Sequence, residues 1–275
     1  TPNLALVGYG LQPGDTQNPR AMLAGKSLGV RLFWHARGSM KENYRLQLAL
    51  DGRGVVTYGQ RMFDLTSTDY PTSRWRPDEL LGEWYYLPTQ QESPTGEAML
   101  MLDVVDEEGR SQMDEPVPLS TLWVQSTLPS FDRPPDMDQR DGTTFGDHIT
   151  LLGHDLTSAA TPGETAAVTL YWKAEQQIGT DYKVFVHLYD GQGGILAQRD
   201  RRPGLGARAT TTWQQGEIVA DRYYVEMPSD APAGTYEVGV GLYDPRSGDR
   251  LRAFGPDGDR LAQDRVILGR LEIAP

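Results

Sequence analysis

The chain has no cysteine among its 275 residues. Disulfides, thiol nucleophiles and thiolate metal sites are therefore excluded, while the compartment stays open, because cysteine-free chains suit exported bacterial proteins as well as cytosolic ones. Basic residues are also in deficit: 26 Lys and Arg stand against 38 Asp and Glu, a formal charge of -12. The deficit is evenly spread, with -5 over 1–125, -2 over 126–144 and -5 over 145–275. An acidic field over both halves, with no basic patch, repels phosphate backbones and anionic lipid, so no nucleic acid partner is expected. Long hydrophobic runs are missing too. Nothing approaches the roughly eighteen apolar residues of a membrane-spanning helix, and no charged-then-apolar leader precedes Thr1, so the chain reads as soluble, with no membrane insertion of its own.

What is present is turn chemistry and alternation. With 30 Gly, 19 Pro and 38% hydrophobic residues, the profile is that of a turn-rich folded protein rather than a disordered one. The stretch from Trp213 to Tyr243 shows the pattern most clearly. Val219 to Met227 reads as a strand, Pro228 to Gly234 as a corner, and Tyr236 to Tyr243 as a second strand. Period two places Tyr236, Val238, Val240 and Leu242 on the core side, with Glu237, Gly239, Gly241 and Tyr243 opposite.

The same grammar occurs twice. Leu4 to Leu11 answers Ile149 to Leu156, Val30 to Ala36 answers Val168 to Ala174, and the next strand starts ten residues past Trp34 and Trp172, at Tyr44 and Tyr182. Asp51-Gly52 and Asp190-Gly191 mark equivalent hairpins. Glu79 to Pro88 parallels Glu217 to Pro228, Ala98 to Val104 parallels Tyr236 to Leu242, and the closing strands are Val117 to Val124 and Val266 to Ile273. Seven or so short strands per copy without a long helical pattern predict an all-β chain: two tandem immunoglobulin-like, Greek-key β-sandwiches related by internal duplication, with a jelly roll as the alternative. The expected domains are 1–125 and 145–275, joined by a Pro- and Asp-rich linker over 126–144. Asp230 to Tyr236 has the spacing of a tyrosine corner, where a Tyr hydroxyl ties the chain back at a sheet-to-sheet crossing, whereas the first copy carries Ala98 there. Trp34 and Trp172 are expected to fill the volume between the sheets.

The second copy carries a family resemblance. Gly146-Asp-x-Ile-x-Leu-Leu-Gly153, Leu170-Tyr-Trp-x-Ala174, Asp181-Tyr-x-Val-Phe-Val-His-Leu188, Thr210-x-x-Trp-x-x-Gly-Glu217 and Ala231-Pro-x-Gly-Thr-Tyr-x-Val-x-Val-Gly-Leu-Tyr-Asp244 resemble β-sandwich modules of exported and membrane-attached bacterial proteins, some of which follow multi-pass glycosyltransferase-like regions. The resemblance covers most of 146–273 and the first copy loosely. It implies an extracytoplasmic setting, at the cell surface or secreted, and assigns no catalytic residue.

Short catalytic motifs dissolve on inspection. Gly25-Lys-Ser-Leu-Gly29 matches the hydrolase nucleophile elbow, but that motif needs a strand before the Ser and a helix after it, and here a strand follows. A Walker loop is ruled out because position 20 is Arg. The histidines at 35, 148, 154 and 187 lack zinc-ligand spacing. Acidic turns at Asp103, Asp106, Glu107 and Glu108 and at Asp257, Asp259 and Asp264 match no calcium loop and read as solvated hairpin tips. No metal, no cofactor and no enzymatic activity are expected.

The candidate binding surface is aromatic. If Val184, Val186 and Leu188 point inward, Phe185, His187 and Tyr189 point outward, joined by Tyr171 and Tyr243 from neighbouring strands and flattened by Gly239 and Gly241. Such a face suits protein contact, whether with a partner or by self-association in a surface assembly or filament. Alternatively it suits stacking on sugar rings, or cover by the chain's own loops.

Overall fold

The computed structural model describes residues 3–13, 18–53, 56–132 and 137–274. The chain divides into two compact units, Thr1–Ser126 and Thr127–Pro275. No helix among the described residues is long and apolar enough to cross a membrane.

In the first unit the strands are β1 (Leu4–Pro13), β2 (Ala21–Leu23), β3 (Ser27–Ala36), β4 (Arg45–Gly52), β5 (Thr57–Asp64), β6 (Leu80–Pro88), β7 (Gly96–Val105) and β8 (Val117–Gln125). They form a sheet β1-β3-β6 facing a sheet β2-β8-β7-β4-β5. The alternation of Val30, Leu32 and Trp34 with Arg31 and Phe33 makes β3 one-sided, and Leu46, Leu48, Leu50, Leu100 and Leu102 answer it from the other sheet, all buried.

The second unit contains β9 (Gln139–Arg140), β10 (Thr144–Phe145), β11 (Ile149–Leu156), β12 (Ala159–Ala160), β13 (Thr165–Ala174), β14 (Lys183–Tyr189), β15 (Ile195–Arg201), β16 (Ile218–Glu226), β17 (Gly234–Tyr243), β18 (Ala253–Phe254) and β19 (Val266–Ile273). Its sheets run β16-β13-β11-β10-β18, with β9 also on β11, and β12-β19-β17-β14-β15. Without β9, β10 and β18, this is the strand order of the first unit. Both units are immunoglobulin-like β-sandwiches. Even the irregularities recur: a bulge follows Leu6 in β1 and Leu151 in β11, and another follows Leu50 in β4 and Leu188 in β14. A paired anchor recurs as well. Thr72 Oγ1 accepts from Tyr44 N and donates to Glu42 O, as Thr210 Oγ1 accepts from Tyr182 N and donates to Thr180 O, both hydroxyls buried beside Trp75 or Trp213.

Trp34 and Trp172 lie buried in the two cores. Between the first two long strands of the first unit, β2 crosses to pair in parallel with β8, as β12 pairs in parallel with β19 in the second. The stretch expected as a linker, 126–144, is not free chain where it is described, and residues 133–136 lie outside the described residues. Ser130 O accepts from Ile218 N, Arg140 and Gln139 pair with Gly153 and His154, and Thr144 pairs with Thr150.

Candidate functional site

The aromatic surface expected on the second unit does not exist as one surface. Tyr171 lies on β13 and Phe185, His187 and Tyr189 on β14, and these consecutive strands belong to opposite sheets. Tyr171 is buried and donates its hydroxyl to Asp155 Oδ2 at 2.7 Å. Phe185 and Tyr189 do point away from the core, and they lie so flat on Gly241 and Gly239 that a Cβ at either glycine would collide with a ring. Yet both are only 1% and 3% exposed. The connection from β17 to β19 folds back over them: Arg250 holds its guanidinium 4.5 Å above Phe185, and Arg265 holds its own 3.7 Å above Tyr189. Arg250 is itself tied to Gln263 O, and Arg260 to Asp264. His187 sits between the rings, its Nδ1 3.0 Å from Tyr189 Oη and its Nε2 2.9 Å from Asp200 Oδ1. Tyr243, half-buried at the margin, has its phenol pushed up by burial and by Asp200. Desolvated cation–π pairs of this kind are structural cement, so these five residues form no open binding surface.

The other sequence candidates are held apart. Ser27 of the Gly-x-Ser-x-Gly match merely opens β3, and Gly25 before it takes the left-handed conformation of a turn, φ 77°, as Gly163 does in the second unit at φ 79°. His35 lies 3.6 Å from Asp78, His148 meets Gln176, and His154 is buried, its imidazole held below the usual range by desolvation. The acidic turns satisfy themselves: Asp106 accepts from Arg110, Asp103 from Ser111, and Asp257 from the Asp259 amide. Among the described residues no group of three or more His, Cys, Asp or Glu could hold a metal.

An open aromatic face does exist, on the first unit. Period two along β6 buries Tyr85 and Leu87 and turns Leu80, Trp84 and Tyr86 to solvent. Along β3 it turns Arg31 and Phe33 outward. The register sets Tyr86 beside Gly29, Trp84 beside Arg31, and Gly82 beside Phe33, with Gly8 on the other flank of Phe33. Trp84 is 40% exposed and Tyr86 55%, their rings 17° from parallel with centroids 6.4 Å apart. The Arg31 guanidinium lies 4.9 Å from the Phe33 ring and 5.7 Å from that of Trp84. A hollow of about 400 Å³ opens beside them, lined by Val7, Gly8, Phe33, Leu80 and Gly82 among others. Sequence reading missed this face because Trp84 and Tyr86 align with Arg222 and Tyr224 of the second copy. The signal was there in the alternation Trp84-Tyr85-Tyr86-Leu87.

No family model matches the chain, and the search of curated proteins found no match. Among solved structures, a red sea bream transglutaminase matches 99% of this chain and 31% of its own, at 9% identity and a TM-score of 0.30. The C-terminal domain of the Streptococcus agalactiae AgI/II polypeptide BspA matches with 96% of this chain and 99% of its own covered, at 8% identity and a TM-score of 0.27. For the C-terminal domain of the Streptococcus pyogenes antigen I/II-family protein AspA the figures are 98%, 100%, 9% and 0.28. This chain thus spans about a third of the transglutaminase it matches.

Proposed function

We propose that the chain is a non-catalytic, extracytoplasmic assembly module, two sandwich domains derived by duplication, which docks on a second copy through the outer face of β1-β3-β6. One observation carries this: Leu80, Trp84, Tyr86 and Phe33 form a contiguous exposed apolar face. Such faces on soluble proteins mark interaction sites, and aromatic side chains with an Arg are the residue types that anchor them. The local charge of the face permits a second copy. The outward row from Tyr86 to Leu80 on β6, with its neighbours Gly29, Arg31 and Phe33 on β3, holds no carboxylate in a chain of net charge -12, so two copies meet there without opposing acids. The extracytoplasmic setting is supported by the residue pattern over 146–273.

Sedimentation velocity of the full chain across concentrations tests the reading. Trp84→Ala should weaken self-association at least tenfold without lowering the melting temperature, and an unchanged association would overturn it. A carbohydrate-binding reading is favoured by the near-parallel Trp84 and Tyr86 rings. If it holds instead, the same variant loses retention on polysaccharide columns and leaves the oligomeric state alone.

A further inference from the structure

In the second unit an antiparallel strap, 138–145, lies along the outer edge of β11. Thr144 pairs with Thr150, Leu151 N donates to Thr143 O, Asp141 N donates to Leu152 O, Arg140 and Gln139 pair with Gly153 and His154, and Asp138 N donates to Asp155 Oδ1. The strap comes so close that a Cβ at Gly153 would collide with the carbonyl oxygen of Gln139. His154, the next residue, is only 3% exposed, and neither of its ring nitrogens makes a hydrogen bond to a described residue. The other three histidines each have a polar side chain at hand: Asp78 for His35, Gln176 for His148, and Tyr189 with Asp200 for His187. Buried polar groups are almost always paired, so His154 is the exception that calls for a reason.

The first unit shows what the position does. β1 answers β11 residue by residue: Gly8 lies opposite Phe33 as Gly153 lies opposite Tyr171, so Tyr9 is the counterpart of His154. The Tyr9 hydroxyl donates to Leu119 O, at the bulge of β8, and so ties the first strand of one sheet to the last strand of the other. At the matching bulge of β19, the Leu268 carbonyl lies near enough to His154 to favour its charged form, without meeting either nitrogen in hydrogen-bond geometry. One unit closes this seam between its sheets with a phenol. The other uses an imidazole, the side chain whose protonation changes most readily near neutral pH.

We infer that His154 makes this seam proton-sensitive: with a neutral ring the strap is closed on β11, and when the ring gains a proton in mild acid the strap is released. Burial is the larger of two opposing effects on the ring and holds its imidazole below the usual range. Against burial act Asp141 and Asp138 on the strap, Asp155 on β11 itself and the Leu268 carbonyl. β13 sets Leu170 opposite the ring, and the cations of the neighbouring elements are in register elsewhere: Arg140 with Gly153, Lys173 with Thr150, and Arg270 with Glu237. Because the folded-state pKa is lowered, the stability that the neutral ring contributes is complete above about pH 6.5 and is lost as the pH falls toward the folded value. A charged ring must regain water, and the strap is the neighbour that can yield. β13 pairs with β11 over its whole length, whereas the strap holds it through two strands of two residues and a few single bonds. The switch lies wholly within the second unit and does not rest on the assembly reading.

Amide hydrogen exchange of the full chain between pH 7.5 and pH 5, corrected for the intrinsic rate at each pH, tests this. Protection of the strap amides over 138–145 should fall at least tenfold as the pH drops below about 6.5, while that of β13 and β17 holds. His154→Gln keeps a polar side chain that does not titrate, and should abolish the fall. His148→Gln, at the turn between β10 and β11, should leave it in place. A strap equally protected at pH 7.5 and pH 5, or an undiminished fall in His154→Gln, would overturn the inference. Should His154→Gln not fold, the ring C–H resonance of His154 in the unaltered chain decides: a midpoint below about pH 6.5 shared with the strap amides supports the switch. A ring that titrates at or above that value, or without the strap amides following, overturns it.

Discussion

Tyr236 donates its hydroxyl to the carbonyl oxygen of Pro232, 2.9 Å away and four residues earlier, which pins the crossing from β16 to β17. This is the tyrosine corner expected from Asp230 to Tyr236. Tyr236→Phe keeps the ring and removes the donor, and should destabilise the second unit by about 1 to 2 kcal/mol in urea unfolding. The first unit, with Ala98 in that place, has no such tie to lose.

Gly153 and Gly8 should respond in opposite ways to the same change. Gly153→Ala drives a methyl group into the strap and should cost about 1 to 3 kcal/mol, since neither the Gln139 carbonyl nor the strand behind it can yield freely. Gly8→Ala meets only open space and Phe33 at ordinary contact distance, so its melting temperature should hold or rise slightly. Equal losses at both positions would mean that the first unit's edge is packed after all.

The sidedness of β14 was legible from period two: Val184, Val186 and Leu188 are core, and Phe185, His187 and Tyr189 face away from it. Facing away from the core is not the same as facing water. The segment that covers Phe185 and Tyr189 starts about 60 residues later in the chain, and its Arg250 and Arg265 have no local signature that announces an aromatic partner. Tyr171 lies elsewhere for a different reason: β13 and β14 are neighbours in sequence but not in space, because the turn between them crosses from one sheet to the other, as Greek-key connections do. Trp84 and Tyr86 show the converse case: their outward direction could be read locally, but their exposure depends on no strap lying over them.

Arg208 and Glu217 form a buried ion pair, 4% and 1% exposed, with Arg208 also donating to Thr127 O and Gln214 N donating to the second carboxylate oxygen. Burial pushes the Glu217 carboxyl above its usual range, so the pair is held by geometry rather than by comfortable solvation. Arg208→Leu strands the carboxylate and should cost about 3 to 5 kcal/mol, while Arg208→Leu with Glu217→Leu together should cost less than the single change. The comparison is made by urea unfolding followed at Trp213, whose indole N–H donates to the Arg208 carbonyl.

Acid should lift the cover from Phe185 and Tyr189 before it unfolds the core. Asp264 is held below the ordinary carboxylate range, first by its hydrogen bonds from Arg260, and it also accepts from the Ala253 amide. A carboxylate with a depressed folded-state pKa contributes stability above its unfolded value, about pH 4, and that contribution is lost as the pH falls through the folded value. Asp244 follows the same rule at the start of the covering segment, its carboxyl depressed chiefly by the Arg246 guanidinium and amide. Amide hydrogen exchange over 244–265 should therefore rise between pH 4 and pH 3 while that of β13 and β17 stays slow. Asp264→Asn, which keeps the side-chain shape and tolerates the left-handed backbone there (φ 50°), should show the raised exchange already at pH 6. Were exchange over 244–265 to stay slow down to the pH at which the core opens, the carboxylate–arginine ties would not be what holds the cover closed. The cation–π contacts of Arg250 and Arg265 would then be holding it alone.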